Sequence, residues 1–184
     1  MARRKRKPQR NKIDKVEARL AALGFELPQP PTPAATYISH VRVGNLLFVG
    51  GNVGRLNGRP PKYTGKVGDT VTLEQAYEMA QHCALNHLAI IKAALGSLDR
   101  VKRIVKVLGY VNVAPGFCDM PKVVNGESDL FVQLWGGRGE HARAAVGVAS
   151  LSKDAPVETE VIVEVGGKGG LVLSMLKSWR AGKG

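Results

Sequence analysis

Cysteine, aromatic residues and long apolar stretches are all scarce in this chain of 184 residues. Its two cysteines, Cys83 and Cys118, lie far apart and lack metal-ligand spacing, so the sequence predicts neither a disulfide framework nor a zinc site and favours a reducing compartment. No stretch approaches the roughly 20 apolar residues of a membrane-spanning helix, and no apolar secretory segment follows the basic start. We therefore expect one domain that neither crosses a membrane nor is secreted.

Acidic residues are missing from both ends of the chain. Seven basic residues lie in residues 1–12 and four in residues 166–184, so the tails carry almost all of the net charge of +12. The first run repels itself and buries nothing, which is typical of an arm that binds a polyanion such as RNA. The predicted RNA-binding residues are Arg3, Arg4, Lys5, Arg6, Lys7, Arg10 and Lys12, together with Lys177, Trp179 and Arg180 near the other end. A solubilising tail and a targeting peptide remain open alternatives for the arm.

The segment 13–33 joins the basic arm to the body of the chain. Apolar residues from Ile13 to Leu23 follow a helical period and end at Gly24, which predicts a short helix. Four prolines between Pro28 and Pro33 then predict an extended connector.

Residues 34–165 show the pattern of one α+β domain. A Gly44-Asn45 turn predicts a β-hairpin. Thr72 with Gln75 forms a capping box that starts a long helix ending at Gly96, whose apolar stripe is Ala76, Ala80, Cys83, His87, Ile91 and Leu95. The β-branched run 100–113 favours a strand, although a helix stays open. Asp119 and Pro121 open a second helix that runs to 135, in which Gly126 is a weak point of about 1 kcal/mol relative to alanine.

Two further strands, 143–151 and 157–165, complete a ββ-α-β-α-ββ order. On the last strand, Thr159 and the glutamates at 158, 160 and 164 are assigned to the polar face. Beyond it, the pattern of residues 166–184 predicts a glycine-rich joint and a basic amphipathic helix. That helix either docks on RNA or a partner protein, or folds back on its own domain.

Five segments of the chain together resemble one protein family. They are GNLLFVGGN at 44–52, GKVG at 65–68, ALNHLAIIKAALGSLDRVKRIVKVLGYVN at 84–112, PKVVNGESDL at 121–130 and HARAAVGVASLSKDAPVETEVIVEV at 141–165. They resemble the RidA family, also called YjgF or endoribonuclease L-PSP. The resemblance implies a chorismate-mutase-like α+β fold, with a mixed sheet backed by two helices, and a homotrimer with pockets at its subunit interfaces.

The resemblance also implies a reaction, the hydrolysis of 2-enamine or 2-imine acids such as 2-aminoacrylate to the 2-keto acid and ammonia, with no metal or cofactor. Arg143 matches the family arginine that holds the substrate carboxylate, and Glu158 matches the glutamate that orients or activates water. Tyr37 matches a tyrosine of the pocket wall. Asn52 and Ala145 are further candidates for the substrate pocket.

The chain departs from the family pattern at several pocket positions. Gly50, Gly51 and Asn52 stand where the family usually has Ser-Gly-Gln, Ala145 replaces a cysteine of the best-known deaminases, and Pro121 replaces an asparagine. An alternative interpretation is therefore that Arg143 and Glu158 form an interface ion pair that serves trimer packing. His141 is interpreted as a residue of the pocket rim.

Three functions are weighed on these grounds. The first is a structural or accessory subunit of a ribonucleoprotein, such as a mitochondrial-type ribosome, which binds RNA through its tails. The second is a reactive-intermediate deaminase with solubilising tails. The third, ribonuclease activity, has little support because no histidine pair or metal cluster lies near Arg143 in the sequence. The organelle is left open between the mitochondrial matrix and the cytoplasm.

Overall fold

The computed structural model describes residues 14–166. The helices are α1 (Lys15–Ala22), α2 (Leu73–Leu95) and α3 (Met120–Trp135). The strands are β1 (His40–Val43), β2 (Leu46–Val53), β3 (Val101–Asn112), β4 (Ala142–Val148) and β5 (Val157–Val165). They form one five-stranded sheet in the order β1-β2-β5-β3-β4, in which β3 and β4 run parallel and the other neighbours antiparallel. The predicted mixed sheet, its α+β class and the order of its elements are confirmed.

Local signals in the sequence set the main boundaries. Gly44 adopts φ 59° in the β1–β2 turn, a conformation that glycine reaches at no steric cost. At the start of α2, Thr72 Oγ1 accepts from the Gln75 N–H at 3.2 Å, and Gln75 Oε1 accepts from the Thr72 N–H at 2.9 Å. Gly96 ends the helix in the left-handed region. Because each signal acts over a few residues, the hairpin and the long helix follow from sequence.

The last two strands differ from their sequence interpretation in two respects. Strand β4 ends at Val148 rather than at residue 151. Thr159 was assigned to the polar face of β5, which is wrong: it is fully buried and points towards the helices, alternating with the partly exposed Glu158 and Glu160. Side chains alternate strictly along a strand, so Thr159 shares the apolar face with Val157 and Val161.

Helices α2 and α3 cover one face of the sheet and form the core with it. The largest buried side chains include Met79, Leu88 and Phe131, and α1 adds Val16 and Leu20 to the same cluster. The predicted helix before the connector therefore packs on the body of the domain.

Of the helices between residues 14 and 166, none has the length and apolar character to cross a membrane.

The other face of the sheet is left open. Its apolar side chains are unusually accessible, with Val41 49% exposed, Phe48 40% and Val146 41%. Phe48 and Ile162 pair across β2 and β5, and with Leu108 they line a groove of about 320 Å³. An exposed apolar patch on a sheet face, bordered here by Lys106 and Glu160, is typical of a surface that another protein chain covers.

Candidate active site

Arg143 extends from the edge strand β4 to the N-terminal half of α3. Its Nη1 donates to Asn125 Oδ1 at 2.8 Å and to Ser128 Oγ at 2.9 Å, and its Nη2 donates to the carbonyl oxygen of Pro121 at 3.1 Å. Positions 121, 125 and 128 lie on one face of a helix. Three of the five guanidinium N–H groups are thus used, and Nε and one Nη2 N–H find no acceptor among residues 14–166. The guanidinium is held rigidly and keeps donors for a carboxylate.

A hydrogen-bonded chain behind Arg143 fixes this geometry. Ser128 Oγ accepts from Arg143, so its own proton is available to His141 Nε2, which lies 3.0 Å away. His141 Nδ1 in turn donates to the carbonyl oxygen of Gly139 at 2.6 Å. These partners assign the neutral imidazole its Nδ1 proton. His141 therefore supports Arg143 through Ser128.

Glu158 lies on β5 against the backbone of β2. A Cβ built on Gly51 would come within 2.2 Å of Glu158 Oε1, so only glycine leaves room for the carboxylate there. Strand β2 shifts register between Val49 and Asn52, which opens the strand at this point. Burial and the neighbouring Glu160 carboxylate raise the pKa of Glu158 above its ordinary value, while His87 opposes them. A carboxylate with a raised pKa is suited to take up and return a proton near neutral pH.

Three predicted site residues share one cavity. Tyr37, Asn52 and Glu158 line a space of about 720 Å³ between the proline-rich connector, the end of β2 and the β4–β5 turn. Tyr37 is 54% exposed. The Asn52 side chain donates to the carbonyl oxygen of Gly50 at 2.9 Å, which orients its own oxygen. This cavity is the Glu158 half-site.

The other two predicted site residues lie elsewhere. Ala145 follows Arg143 by two residues on β4, so both side chains face α3, and Ala145 packs against the core. Strand β3 separates them from β5, which places the two strands about 10 Å apart. Glu158 also points to the opposite face of the sheet. Within the described part of one chain, Arg143 and Glu158 therefore make no ion pair with each other.

Sequence analysis missed the residues that hold Arg143 and a buried pair in the core. Asn125 and Ser128 could have been noticed, because their spacing from Pro121 puts all three on one side of the predicted helix. His87 was included in the apolar stripe of α2, whereas it forms a fully buried pair with Glu127 of α3. Across residues 14–166, no three side chains among histidine, cysteine, aspartate and glutamate are grouped so that they could hold a metal ion.

A family model described as "YjgF/chorismate_mutase-like, putative endoribonuclease" matches residues 17–155. The chain belongs to the YjgF family. This confirms the resemblance to RidA proteins and the expected fold class.

Three proteins are similar to this chain over most of their own length. Protein TCP17 of Trypanosoma cruzi is 41% identical over 152 residues, which is 82% of this chain and 94% of that protein. The 2-iminobutanoate/2-iminopropanoate deaminase of Dermatophagoides farinae is 29% identical over 75% of this chain and 92% of the deaminase. The crystal structure of Atu1372 from Agrobacterium tumefaciens, a protein of unknown function, is 42% identical with a TM-score of 0.77, covering 84% of this chain and 95% of that one.

The predicted RNA-binding residues of both tails, and the C-terminal amphipathic helix, lie outside the described residues. Their proposed role therefore rests on composition alone.

Proposed function

We propose that this member of the YjgF family is a hydrolytic deaminase of small 2-imino acids, with an active site that forms between two copies of the chain. The observation that carries the proposal is the separation of a preorganised arginine from a carboxylate of raised pKa. Arg143 on β4 keeps hydrogen-bond donors for a substrate carboxylate, and Glu158 on β5 lines a separate cavity. One copy supplies the anion-binding half and its neighbour the acid–base half.

The chemistry follows from these two groups. Arg143 holds the substrate carboxylate, which places the adjacent C=N carbon next to the Glu158 half-site of the other copy. Glu158 takes a proton from water as the water oxygen bonds to the carbon of the protonated imine, and the π electrons of the C=N bond become the lone pair of the amine nitrogen. Glu158 then returns that proton to the nitrogen. Ammonia leaves as the C–N bond breaks, and the hydroxyl proton passes to Glu158 as the C=O bond of the 2-keto acid forms.

The departures from the family pattern are compatible with this scheme. Pro121 has no N–H to offer, but its carbonyl oxygen is one of the acceptors that hold Arg143. Ala145 lies two residues after Arg143 on the same face of β4. Asn52 provides an amide in the Glu158 half-site, where Gly50 lacks the hydroxyl of the family serine.

The open face of the sheet supplies a surface for the assembly, for which we propose a homotrimer. Phe48, Ile162 and Leu108 line its groove and are the apolar groups that a second copy would cover. With such an arrangement, each of the three interfaces brings Arg143 of one copy towards Glu158 of another.

Subunit mixing tests the shared site. Arg143→Ala and Glu158→Gln should each abolish turnover of 2-aminoacrylate, measured as keto acid or ammonia released. When the two variants are refolded together in equal amounts, about a quarter of the interfaces combine an intact arginine with an intact glutamate. Recovery of about that fraction of wild-type activity supports the proposal. The double variant mixed with itself is the control, and no recovery from the mixture would refute a site shared between copies.

A second candidate function is attachment to RNA or a ribonucleoprotein through the tails. The observation that favours it is the segregation of charge, since eleven basic and no acidic residues lie in 1–12 and 166–184, and the remainder is nearly neutral. In a trimer the tails would act together and multiply their effective concentration at a phosphate-rich surface. A deaminase has no chemical need for such tails.

Gradient sedimentation tests this candidate in fractionated mitochondrial and cytosolic extracts. The full chain should travel with a large RNA-containing particle and shift to the free assembly after nuclease treatment. A chain that lacks residues 1–12 should sediment as the free assembly throughout. If the full chain sediments freely at low salt, where electrostatic binding is strongest, the ribonucleoprotein role is wrong.

A further inference from the structure

The Glu158 half-site is larger and more positively charged than a small 2-imino acid requires. Its cavity of about 720 Å³ is in the range of pockets that take drug-sized ligands, and 2-aminoacrylate would fill a small part of it. Two cations, Arg55 and Lys153, line the cavity together with Glu158. Among the described residues of the cavity wall, Glu158 is the sole carboxylate. The cavity therefore keeps a net positive charge even when Glu158 is ionised.

The guanidinium of Arg55 is held by the loop that follows β2. Its Nε donates to the carbonyl oxygen of Arg59 at 3.2 Å, and its Nη2 donates to that of Gly58 at 3.0 Å. The other three N–H groups have no acceptor in the part of the chain that the structure describes. No carboxylate of residues 14–166 forms an ion pair with Arg55. A half-buried guanidinium fixed in this way offers a fork of donors to an anion.

Asn86 of α2 lines the same cavity and fixes the backbone that carries Arg55. Its Nδ2 donates to the carbonyl oxygens of Val53 at 3.2 Å and of Arg55 at 2.8 Å. These bonds set the orientation of the amide, and Oδ1 is left without a hydrogen-bond partner among the described residues, although Asn86 is only 1% exposed. An unsatisfied buried acceptor is costly and rare. A polar molecule in the cavity supplies the missing donor, so the cavity suits a polar occupant better than an apolar one.

Lys153 lines the cavity from the β4–β5 turn, which is held in an uncommon conformation. Lys153 and Asp154 have φ angles of 57° and 54°, in the left-handed region that residues other than glycine rarely adopt. Asn112, buried at the end of β3, donates to Asp154 Oδ1 at 3.0 Å, and the Gly65 N–H donates to the Asp154 carbonyl oxygen at 2.8 Å. Lys66 Nζ donates to Asn112 Oδ1 at 3.1 Å and ties the network together. The turn is thus anchored, while the Lys153 ammonium has no ion-pair partner within residues 14–166.

We propose that the Glu158 half-site takes a substrate with two carboxylates, a 2-imino dicarboxylic acid, and that Arg55 and Lys153 bind the carboxylate of its side chain. This inference rests on the proposed deaminase function and names the substrate class of that site. Arg143 of the neighbouring copy holds the carboxylate next to the C=N carbon, and the substrate side chain extends into the cavity. An ionised Glu158 repels a second carboxylate, so the two cations are what makes an acidic side chain acceptable there. A neutral side chain gains nothing from them.

The test compares 2-iminoglutarate with 2-iminobutanoate as substrates of the full-length assembled protein. An amino-acid oxidase produces both imino acids in the assay, and their spontaneous hydrolysis is subtracted. We expect kcat/KM to be at least about tenfold higher for 2-iminoglutarate, because a hydrogen bond between charged groups is typically of that magnitude. Arg55→Gln should remove most of this preference and leave kcat/KM for 2-iminobutanoate within about twofold of the wild type. Loss of loop structure would instead lower both values equally.

Three further variants complete the design. Lys153→Gln removes the second cation without removing an ion pair, so it should fold and should also lower the preference. Arg55→Lys keeps the charge but loses the fork of donors, and it should retain part of the preference. Arg59→Gln is the matched control, because the Arg59 side chain lies outside the cavity and only its backbone carbonyl oxygen accepts from Arg55. It should keep the preference of the wild type.

Calorimetric titration with the corresponding keto acids, 2-oxoglutarate and 2-oxobutanoate, repeats the comparison without turnover. The wild type and Arg59→Gln should bind 2-oxoglutarate at least about tenfold more tightly than 2-oxobutanoate, and Arg55→Gln should bind the two about equally. The basic tails are present in every variant, so they do not produce a difference between variants.

Equal binding of the two keto acids by the wild type, or a preference that survives in both Arg55→Gln and Lys153→Gln, overturns the inference. A wild type that hydrolyses 2-iminobutanoate without preferring 2-iminoglutarate also overturns it and leaves the proposed function intact. A wild type that hydrolyses neither imino acid, yet binds 2-oxoglutarate selectively through Arg55, supports the second carboxylate site and refutes the proposed function.

Discussion

Replacing Gly126 with alanine should weaken the fold, although helix propensity predicts the reverse. Gly126 lies inside α3 where that helix crosses α2. A Cβ at this position would come within 2.1 Å of the Tyr77 carbonyl oxygen and 3.0 Å of the Ala80 Cβ. The first contact is with backbone, so it cannot be relieved by turning a side chain. The helices would have to separate by about 1 Å, and a close-packed interior does not allow that without loss of contacts.

The magnitude combines two opposing effects. Alanine gains about 1 kcal/mol over glycine from helix propensity. Overpacking of a well-packed interior typically costs about 1 to 3 kcal/mol and more when backbone must move. We expect the second effect to dominate and the free energy of unfolding to fall by about 2 kcal/mol, which corresponds to a Tm lower by about 4 to 8 °C for a domain of this size.

Urea denaturation followed by circular dichroism measures this difference, with Gly137→Ala as the control. Gly137 follows the same helix, and a Cβ there would meet nothing within 4 Å, so this variant should match the wild type. Because α3 also carries Asn125 and Ser128, which hold Arg143, Gly126→Ala should lose activity as well. If Gly126→Ala is as stable as the wild type or more so, the close approach of α2 and α3 is refuted.

Three further predictions concern Gly51, Glu158 and the two cysteines. Gly51→Ala should change the free energy of unfolding by less than about 1 kcal/mol, because the flexible end of Glu158 can move away. It should nevertheless lower turnover at least about tenfold by displacing that carboxylate, and unchanged turnover would contradict this. Glu158→Gln should raise the free energy of unfolding at neutral pH, because folding raises the pKa of Glu158 and the ionised carboxylate therefore destabilises the wild type there. The advantage of the variant should vanish below about pH 4, near the ordinary pKa of glutamate, where the wild-type carboxyl is protonated as well. A stability gain of the variant that grows on acidification, in melts at a series of pH values, would contradict this. Titration with Ellman's reagent should find one rapidly reacting thiol in the native protein, the exposed Cys118, and two after denaturation. Cys83 should react slowly in the native state because it is buried and its pKa is raised. Two rapidly reacting thiols in the native protein would mean that the core opens.

Much of the fold could be predicted because its signals are local. The Thr72 capping box, the Gly44-Asn45 turn and Gly96 each act within a few residues, and the alternation of Val157, Val161 and Val163 identifies β5 without knowledge of its neighbours. The segregation of charge to the tails is likewise a property of the sequence alone. The family resemblance then supplied the fold class, the candidates Arg143 and Glu158 and the expected trimer.

The remaining features depend on contacts between residues far apart in the chain. The sequence could not show that β3 separates Arg143 from Glu158, because strand neighbours are chosen by tertiary packing. It placed His87 in an apolar stripe, since only the arrival of α3 brings Glu127 to the imidazole. It treated Gly126 as a weakness, whereas the crossing of two helices makes the missing Cβ a requirement. Periodicity and caps act along the chain and therefore determined the elements, while burial, pairing and close approach act across it and were decided by the tertiary structure.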